Sequence, residues 1–501
     1  MNKRLILSIF SFLISSIVPA QNTAGDALFG AAQVHDVYLN FSQIPYWDTL
    51  TANYTTDIYT KCDLVIDGVS LLNVGAKMKG NSSYNNPSIK KSFKVGIDEF
   101  VSGQKYDNLK KFNLNNCFKD PSFLREKLML DFLNQLGYPA PRCTYARLYL
   151  NNTYWGLYTM VEEVDKTFLK DRFSDKKGNL WKGDPSGDLK WLGSNDSLYF
   201  NKYELKTNET LNDWSGLVQL INKINNSANL YDSLEPYLNT SNVIKGWVGC
   251  NLFANLDSYL GSGHNYFIYD DSLSNKFNWI TWDVNEAFGN FNMGMTPAQL
   301  KAMSIFYISS PATSRPLYTK MLANTTYKAN YISEYCNAAY YFTNAMLDAK
   351  IDSLKNMIMN DVSTDPNKFF TYQNFLDNIV MDISVSGTPG GNNICGIKPF
   401  ITARHNAVVA ELANQGCFVG IQEVAATQFL KLFPNPANSS FTIESSGELN
   451  SCAVMNVMGE TVIDLKNSGT AKLTIDVKTL PEGIYFVRVN NTVTQKVLIS
   501  R

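Results

Sequence analysis

The chain has 501 residues, enough for two or three domains, and 45% of them are hydrophobic, which supplies ample core. It carries 44 Lys and Arg against 45 Asp and Glu, a formal charge of −1 with both signs mixed, which argues against nucleic-acid binding and an anionic-membrane patch. Three histidines and eight dispersed cysteines without a CxxC pair argue against a His-rich metal centre and structural zinc.

Residues 1–20 read as a secretory signal peptide: Lys3 and Arg4, an apolar run from Leu5 to Val18, and a small-residue ending before Gln21. No later stretch reaches transmembrane length, so the mature chain is expected to leave the cytoplasm without a membrane span. An oxidising compartment permits disulfides. Cys395 and Cys417, which flank the end of the large domain, are candidates for a staple, with buried free thiols as the alternative.

Val34 to Phe41 alternates as a strand does, and Cys62 to Ile66 and Val74 to Lys79 read as two more around an Asp67-Gly68 turn. Gly80-Asn81-Ser82-Ser83 then breaks the pattern with residues that turn tightly and offer backbone N–H groups to an anion; an ordinary connecting turn fits as well. Ser92 to Ile97 resumes a strand with Lys90, Lys91 and Lys94 at or near its start. Asp120-Pro121-Ser122 opens a helix that Gly137 closes, with Leu124, Leu128, Phe132 and Leu136 as its buried stripe beside Arg125, Glu126 and Lys127. Arg147 to Leu150 and Tyr154 to Val161 form a hairpin around Asn151-Asn152, followed by an acidic corner of Glu162, Glu163 and Asp165.

Phe168 to Phe173 is helical and residues 174–202 form a polar loop or insertion. Helical periodicity marks Leu211 to Tyr237, Val243 to Phe253, Leu300 to Met359, Phe370 to Val380 and Lys398 to Gln415; His405 in the last reads as a packed residue. Between them, His264 to Tyr269 and Phe277 to Trp282 form a hairpin, with Asp257 and Asn265 at one end and Asp283, Asn285 and Glu286 just past its second strand. Oxygen ligands at strand ends can converge on a hard cation such as Mg²⁺, while solvated acidic ends are the plain alternative. From Gln428 onward short alternating strands recur every 8 to 12 residues between turn signals, which predicts a small immunoglobulin-like β-sandwich of about seven strands.

The stretch D-S-Y-L-G-S-G-H-N-Y followed by W-D-V-N-E-A-F-G resembles the core of the CotH kinase family, atypical protein kinases named after a spore-coat protein. K-M-K-G-N-S-S with P-S-I-K-K-S-F-K-V, F-L-R-E-K-L-M-L-D-F-L and Y-W-G-L-Y-T-M-V-E-E-V-D-K-T-F-L match in the same order, covering roughly 30–415. F-P-N-P-A and L-P-E-G-I-Y-F-V-R-V resemble the C-terminal sorting domain of type IX secretion. The resemblance implies an α+β, two-lobed kinase-like domain over 30–415, a linker at 416–427 and a sorting domain over 428–501. It implies ATP and Mg²⁺ or Mn²⁺ as cofactors, and as partners an unidentified protein acceptor and the type IX secretion machinery, which exports the chain to the cell surface or medium. The implied reaction is transfer of the γ-phosphoryl group to a Ser or Thr hydroxyl, with Asp257 as base and Asn265 and Asp283 on the metal.

In the same resemblance Lys91 and Lys94 grip phosphates, paired with Glu126, under the loop of Lys79, Gly80, Asn81 and Ser82, and Glu162 stands at the adenine hinge. Asn285 departs from a pattern that often has Asp there. A non-catalytic surface-binding protein built on the same scaffold is the rival expectation, and a hydrolase using paired carboxylates such as Asp283 and Glu286 lacks supporting spacing.

Overall fold

The computed structural model describes residues 23–173, 175–386, 393–417, 430–456, 460–490 and 493–501. The predicted signal peptide and residues 418–427 of the predicted linker lie outside them. Two compact units divide between Cys417 and Phe418. Among the described residues no helix is long and apolar enough to cross a membrane.

The first unit begins with a closed seven-stranded barrel: β1 (Val34–Asn40), β2 (Thr60–Ile66), β3 (Val69–Lys79), β4 (Ser92–Gly96), β5 (Lys111–Asn115), β6 (Cys143–Leu150) and β7 (Thr153–Glu162). Its order is β1-β2-β3-β4-β5-β7-β6, and parallel pairing of β1 with β6 closes it. Alternate residues point inward, so Val37 and Leu39 meet Leu64, Ile66, Val95 and Leu148 in one apolar core. Asn151 and Asn152 both adopt positive φ, 45° and 63°, at the β6–β7 turn, the geometry that matches the right-handed twist of a hairpin.

Two features of the barrel aim side chains. Gly80 follows the end of β3 at φ +94°, a left-handed backbone that favours glycine at the turn after Lys79. The predicted Asp120 helix spans Arg125–Gln135, and Asp120 lies before it, accepting the Arg125 backbone N–H at 3.0 Å. Arg125, Glu126 and Lys127 are buried as fully as the apolar stripe because each has a polar partner: Asp120, Asn115 and Asp131.

A second sheet, ordered β11-β10-β8-β9, combines β10 (Tyr266–Asp271) and β11 (Lys276–Thr281), the predicted hairpin, with β8 (Leu180–Lys182) and β9 (Glu204–Leu205). β8 lies in the stretch read as a polar loop, since three residues are too few to display an alternation. Helix Thr240–Leu252 packs on β11, helices Thr325–Tyr341 and Ile397–Ala413 follow behind it, and helix Asn344–Thr364 reaches from Ile397–Ala413 to β7 of the barrel. Fully buried Arg404 donates to the carbonyls of Asn251, Leu252 and Met303 and to Asn251 Oδ1 at 2.7 Å, which ties down the helix end preceding Asp257. His405 is a half-buried helix residue whose pKa burial lowers, against the opposing pull of backbone carbonyls at Ala339 and Phe342.

The expected Cys395–Cys417 staple is corrected: Cys417 pairs with Cys336, and Cys395 is a buried free thiol. Cys395 and Cys417 stand at opposite ends of the 17-residue helix Ile397–Ala413, roughly 25 Å long at about 1.5 Å per residue, far beyond disulfide reach.

The second unit is all-β, with five strands among its described residues where about seven were expected: β12 (Leu430–Phe433), β13 (Ser440–Met455), β14 (Thr461–Asp476), β15 (Gly483–Val489) and β16 (Val493–Ile499). The turn signals at Ser446-Gly447 and Ser468-Gly469 fall inside two 16-residue strands as bulges rather than breaks, so four predicted short strands merge into two long ones. β13 pairs with β12 through its first half and β15 through its second, and inward residues of both halves, including Phe441, Ile443 and Val454, share one core with Val487 of β15.

Candidate functional site

A cleft of about 790 Å³ opens between the barrel's β3–β5 edge and the ends of the β10–β11 hairpin. Lys79 ends β3 and sends Nζ to Asn115 Oδ1 at 3.0 Å. Asn115, the last residue of β5, donates Nδ2 to both Glu126 oxygens, at 2.9 and 3.0 Å. Burial, with the charge of Asp283, holds the Glu126 carboxyl up at about 8, although Asn115 and Lys79 oppose the shift. Burial depresses the Lys79 pKa, and the Asp283 carboxylate counters that. The Lys79 ammonium also sits 5.3 Å from the Trp282 ring centroid.

Across the cleft, Asp257 accepts from His264 Nε2 at 2.9 Å on Oδ1 and from Asn265 Nδ2 at 3.1 Å on Oδ2. Burial raises the Asp257 pKa, but the hydrogen bond and charge of His264 outweigh it, and the net shift is downward. His264 in turn is raised, with its bond to Asp257 overcoming desolvation. The loop between Asp257 and Asn265 wraps a buried guanidinium: Arg315 donates to the carbonyls of Tyr259 and Gly261, and a Cβ on Gly263 would lie 2.8 Å from it. Asn265 and Asp283 both take left-handed backbone, φ 61° and 52°, and the Trp282 N–H donates to the Asn265 carbonyl at 3.1 Å, so the two residues leave adjacent strand ends together.

Asp283 receives no hydrogen bond or ion pair from any described residue, and burial raises its pKa against the pull of Lys79. Glu286 pairs with Lys119 at 2.8 Å through Oε1, leaves Oε2 buried without a partner, and is pushed up to about 7 by burial. These donors bear on a divalent cation. Among the described residues no group of three or more His, Cys, Asp or Glu side chains is arranged to hold a metal. Asp283 and the amide oxygen of Asn265 fit a hard cation only as a partial set, to be completed by phosphate oxygens and water.

Of the residues singled out from the sequence, Lys79, Gly80, Asn81, Ser82, Lys94, Asp257, Asn265 and Asp283 line this one cleft. Three lie elsewhere. Lys91 bends back to the carbonyls of Tyr84 and Asn86, at 2.6 and 2.7 Å, inside its own turn. Glu162 faces away and is held by Arg142 and Arg172 at 2.8 and 2.9 Å, while its neighbour Glu163 enters the cleft. Glu126 is behind the cleft wall and meets neither Lys91 nor Lys94, which corrects the expected pairing. Lys94 pairs instead with Glu163 at 2.7 Å, and that ammonium outweighs burial to hold Glu163 down at about 2. Asn115, His264, Lys119 and Glu163 were not singled out as site residues. His264 adjoins Asn265 in the quoted motif, a signal available in the sequence, whereas Asn115 and Lys119 lie between the recognised segments.

Barrel, second sheet and helices surround a cleft in which lysines alternate with carboxylates, among them the Asp257–His264 pair and unpaired Asp283, in a protein of mixed helix and sheet. The profile of the family described as CotH kinase protein matches residues 76–408, so the chain belongs to that family. The profile of the secretion system C-terminal sorting domain matches residues 431–500 and assigns the chain to type IX secretion, to the cell surface or exterior. The chain is 26% identical to the inner spore coat protein H of Bacillus subtilis over 207 residues, 40% of this chain and 55% of that protein. It is 22% identical to the invasins CotH3 and CotH2 of Rhizopus delemar, over 60% and 61% of this chain and 53% and 55% of theirs. The chain thus spans about half the length of the curated relatives it matches.

Proposed function

We propose that this chain is an exported protein kinase that moves the γ-phosphoryl group of ATP to a Ser or Thr hydroxyl of a protein acceptor. The observation that carries this reading is the cleft itself, where the Lys79–Asn115–Glu126 relay and unpaired Asp283 face Asp257. In this reading the barrel is the amino-terminal lobe of a kinase-like pair, and Lys79 rather than Lys91 grips phosphate oxygens, beneath the backbone of Gly80, Asn81 and Ser82. Lys94 and Glu163 border the nucleotide. Asp257 orients the acceptor hydroxyl and takes its proton as the new O–P bond forms and the bond to the β-phosphate oxygen breaks, releasing ADP. Asp283 and Asn265 would hold Mg²⁺ or Mn²⁺, which supplies charge neutralisation on the phosphates. Placement and electrostatics account for most of the rate, because the loose transition state asks little covalent chemistry of the protein.

The test is transfer from γ-labelled ATP to the chain itself or to a generic protein acceptor. Asp257→Asn should abolish transfer and leave ATP binding intact. Transfer by Asp257→Asn at the native rate would remove Asp257 as the base.

A non-catalytic binding protein of the cell surface is the second reading. Both Asp257 oxygens are occupied, by His264 and Asn265, and Asn285 stands in the cleft where a further carboxylate is common. Metal-dependent ATP binding without transfer would favour it.

A further inference from the structure

A second cavity, of about 610 Å³, lies on the other side of the β7–helix corner and shares no residue with the cleft described above. Five of its ten lining residues are lysines: Lys105 and Lys110 from the loop before β5, Lys166 and Lys170 from helix Lys166–Phe173, and Lys176 beyond it. One acidic residue, Asp171, shares the lining, and its carboxylate accepts the Ala24 backbone N–H at 3.2 Å. In a chain with 44 basic and 45 acidic residues, five ammonium groups against one carboxylate around one concavity is a strong local imbalance.

Two of the lysines are engaged: Lys110 pairs with Asp98, and Lys166 donates to Asn208 Oδ1 at 3.1 Å. Lys105, Lys170 and Lys176 have no carboxylate partner among the described residues, and all three are exposed. Like charges gathered without counter-charges repel, and a bound anion relieves that repulsion.

The remaining lining narrows the anion. It offers no aromatic ring on which a sugar could stack and no large apolar side chain to anchor a peptide; it is completed by Thr23, Ala24, Asn108 and Thr167. The cations are all lysines, point charges that bind phosphate without demanding one orientation, and they come from separate segments around the cavity. A ligand bearing several linked phosphate groups meets these terms: it spans the cavity, carries a charge for each ammonium, and takes neutral hydrogen bonds from Asn108 and Thr167.

We infer that this cavity is an oligophosphate-binding site, separate from the candidate kinase cleft. It holds whether or not the chain transfers phosphate.

The test is titration of the full chain with inorganic tripolyphosphate, followed calorimetrically at low and physiological salt. Lys105, Lys170 and Lys176 changed together to Gln should weaken binding by about tenfold or more, as the loss of three exposed charge contacts implies, and the wild-type affinity should fall as salt rises. The same three positions changed to Arg should keep binding. Lys79→Ala, which alters only the other cleft, should leave at least one full equivalent bound with the wild-type salt dependence. No binding by the wild type overturns the inference, as does a titration lost in Lys79→Ala and unchanged in the triple Gln variant.

Discussion

The Lys79 ammonium and the Glu126 carboxylate are joined through one amide: Asn115 accepts from the lysine at 3.0 Å and donates to both glutamate oxygens. A direct pair would fix the lysine by charge alone. The amide fixes it by direction, while burial, with the charge of Asp283, raises the Glu126 pKa. The arrangement leaves the lysine's charge available to a ligand and to Asp283.

Lys79 and Lys91 should therefore separate cleanly. Lys79→Ala should weaken ATP binding by about 1.5–3 kcal/mol, the scale of a lost charge-assisted contact. Lys91→Ala should leave ATP affinity unchanged and lower thermal stability instead, because its hydrogen bonds close the 84–91 turn. Calorimetric titration of both variants checks this; equal losses of affinity would return Lys91 to the phosphate site.

The Asp257–His264 pair sets a pH window. His264 has a folded pKa raised above its ordinary 6.5, so its contribution is fully present below about pH 6.5 and is lost as pH rises through the folded value. Asp257 has a folded pKa below its ordinary 3.8, so its contribution is present above about that pH and is lost as pH falls through the lowered value. Urea unfolding should find His264→Gln least stable relative to wild type between about pH 4 and pH 6.5, with the gap closing toward pH 9. A gap that widens with pH would mean His264 is bound as the neutral ring.

Lys90, next to Lys91, has a different task. Its ammonium lies 2.6 Å from Asp365, both side chains are fully buried, and Asp365 also accepts the Leu157 backbone N–H at 3.0 Å. The pair joins the barrel to the end of helix Asn344–Thr364. Lys90→Met should cost about 3–5 kcal/mol by leaving a buried carboxylate unpaired, and adding Asp365→Asn should recover part of the loss. Denaturant unfolding of the single and double variants measures it.

The Cys336–Cys417 bridge closes 81 residues, anchoring the chain after helix Ile397–Ala413 to helix Thr325–Tyr341. Cys417→Ser should lower stability by about 2–4 kcal/mol. Reductant should destabilise the wild type by a similar amount and leave the variant unmoved in a thermal melt.

Much of the cleft was legible because its parts are local patterns. The hairpin carries Asp257, Asn265 and Asp283 at its ends, and alternation with a glycine break marks Lys79 and its turn. The misses are matters of parity and distance. Glu162 and Glu163 are adjacent, and which one enters the cleft depends on the phase of β7, set by pairing of Glu162 with Phe112 on β5. β5 was not recognised, so Asn115 was invisible. Cys336 lies 81 residues from its partner, with no local sign of the pairing. The lysines of the second cavity run from 105 to 176 and read individually as solvated charges until the fold gathers them.

In the proposed kinase reading, Asp283 and Asn265 share a divalent cation with a nucleotide whose phosphates Lys79 holds. Each of metal and nucleotide supplies what the other lacks, so neither alone should bind well. The direct measurement is a thermal-shift series on the full chain with ATP, Mg²⁺ and Mn²⁺, singly and combined, repeated with Asp283→Ala. ATP should stabilise the chain only with the metal present, and that stabilisation should be abolished by Asp283→Ala and survive Asp257→Asn. No shift with either metal, or an undiminished metal-dependent shift in Asp283→Ala, would contradict a shared metal–nucleotide site at Asp283 and Asn265.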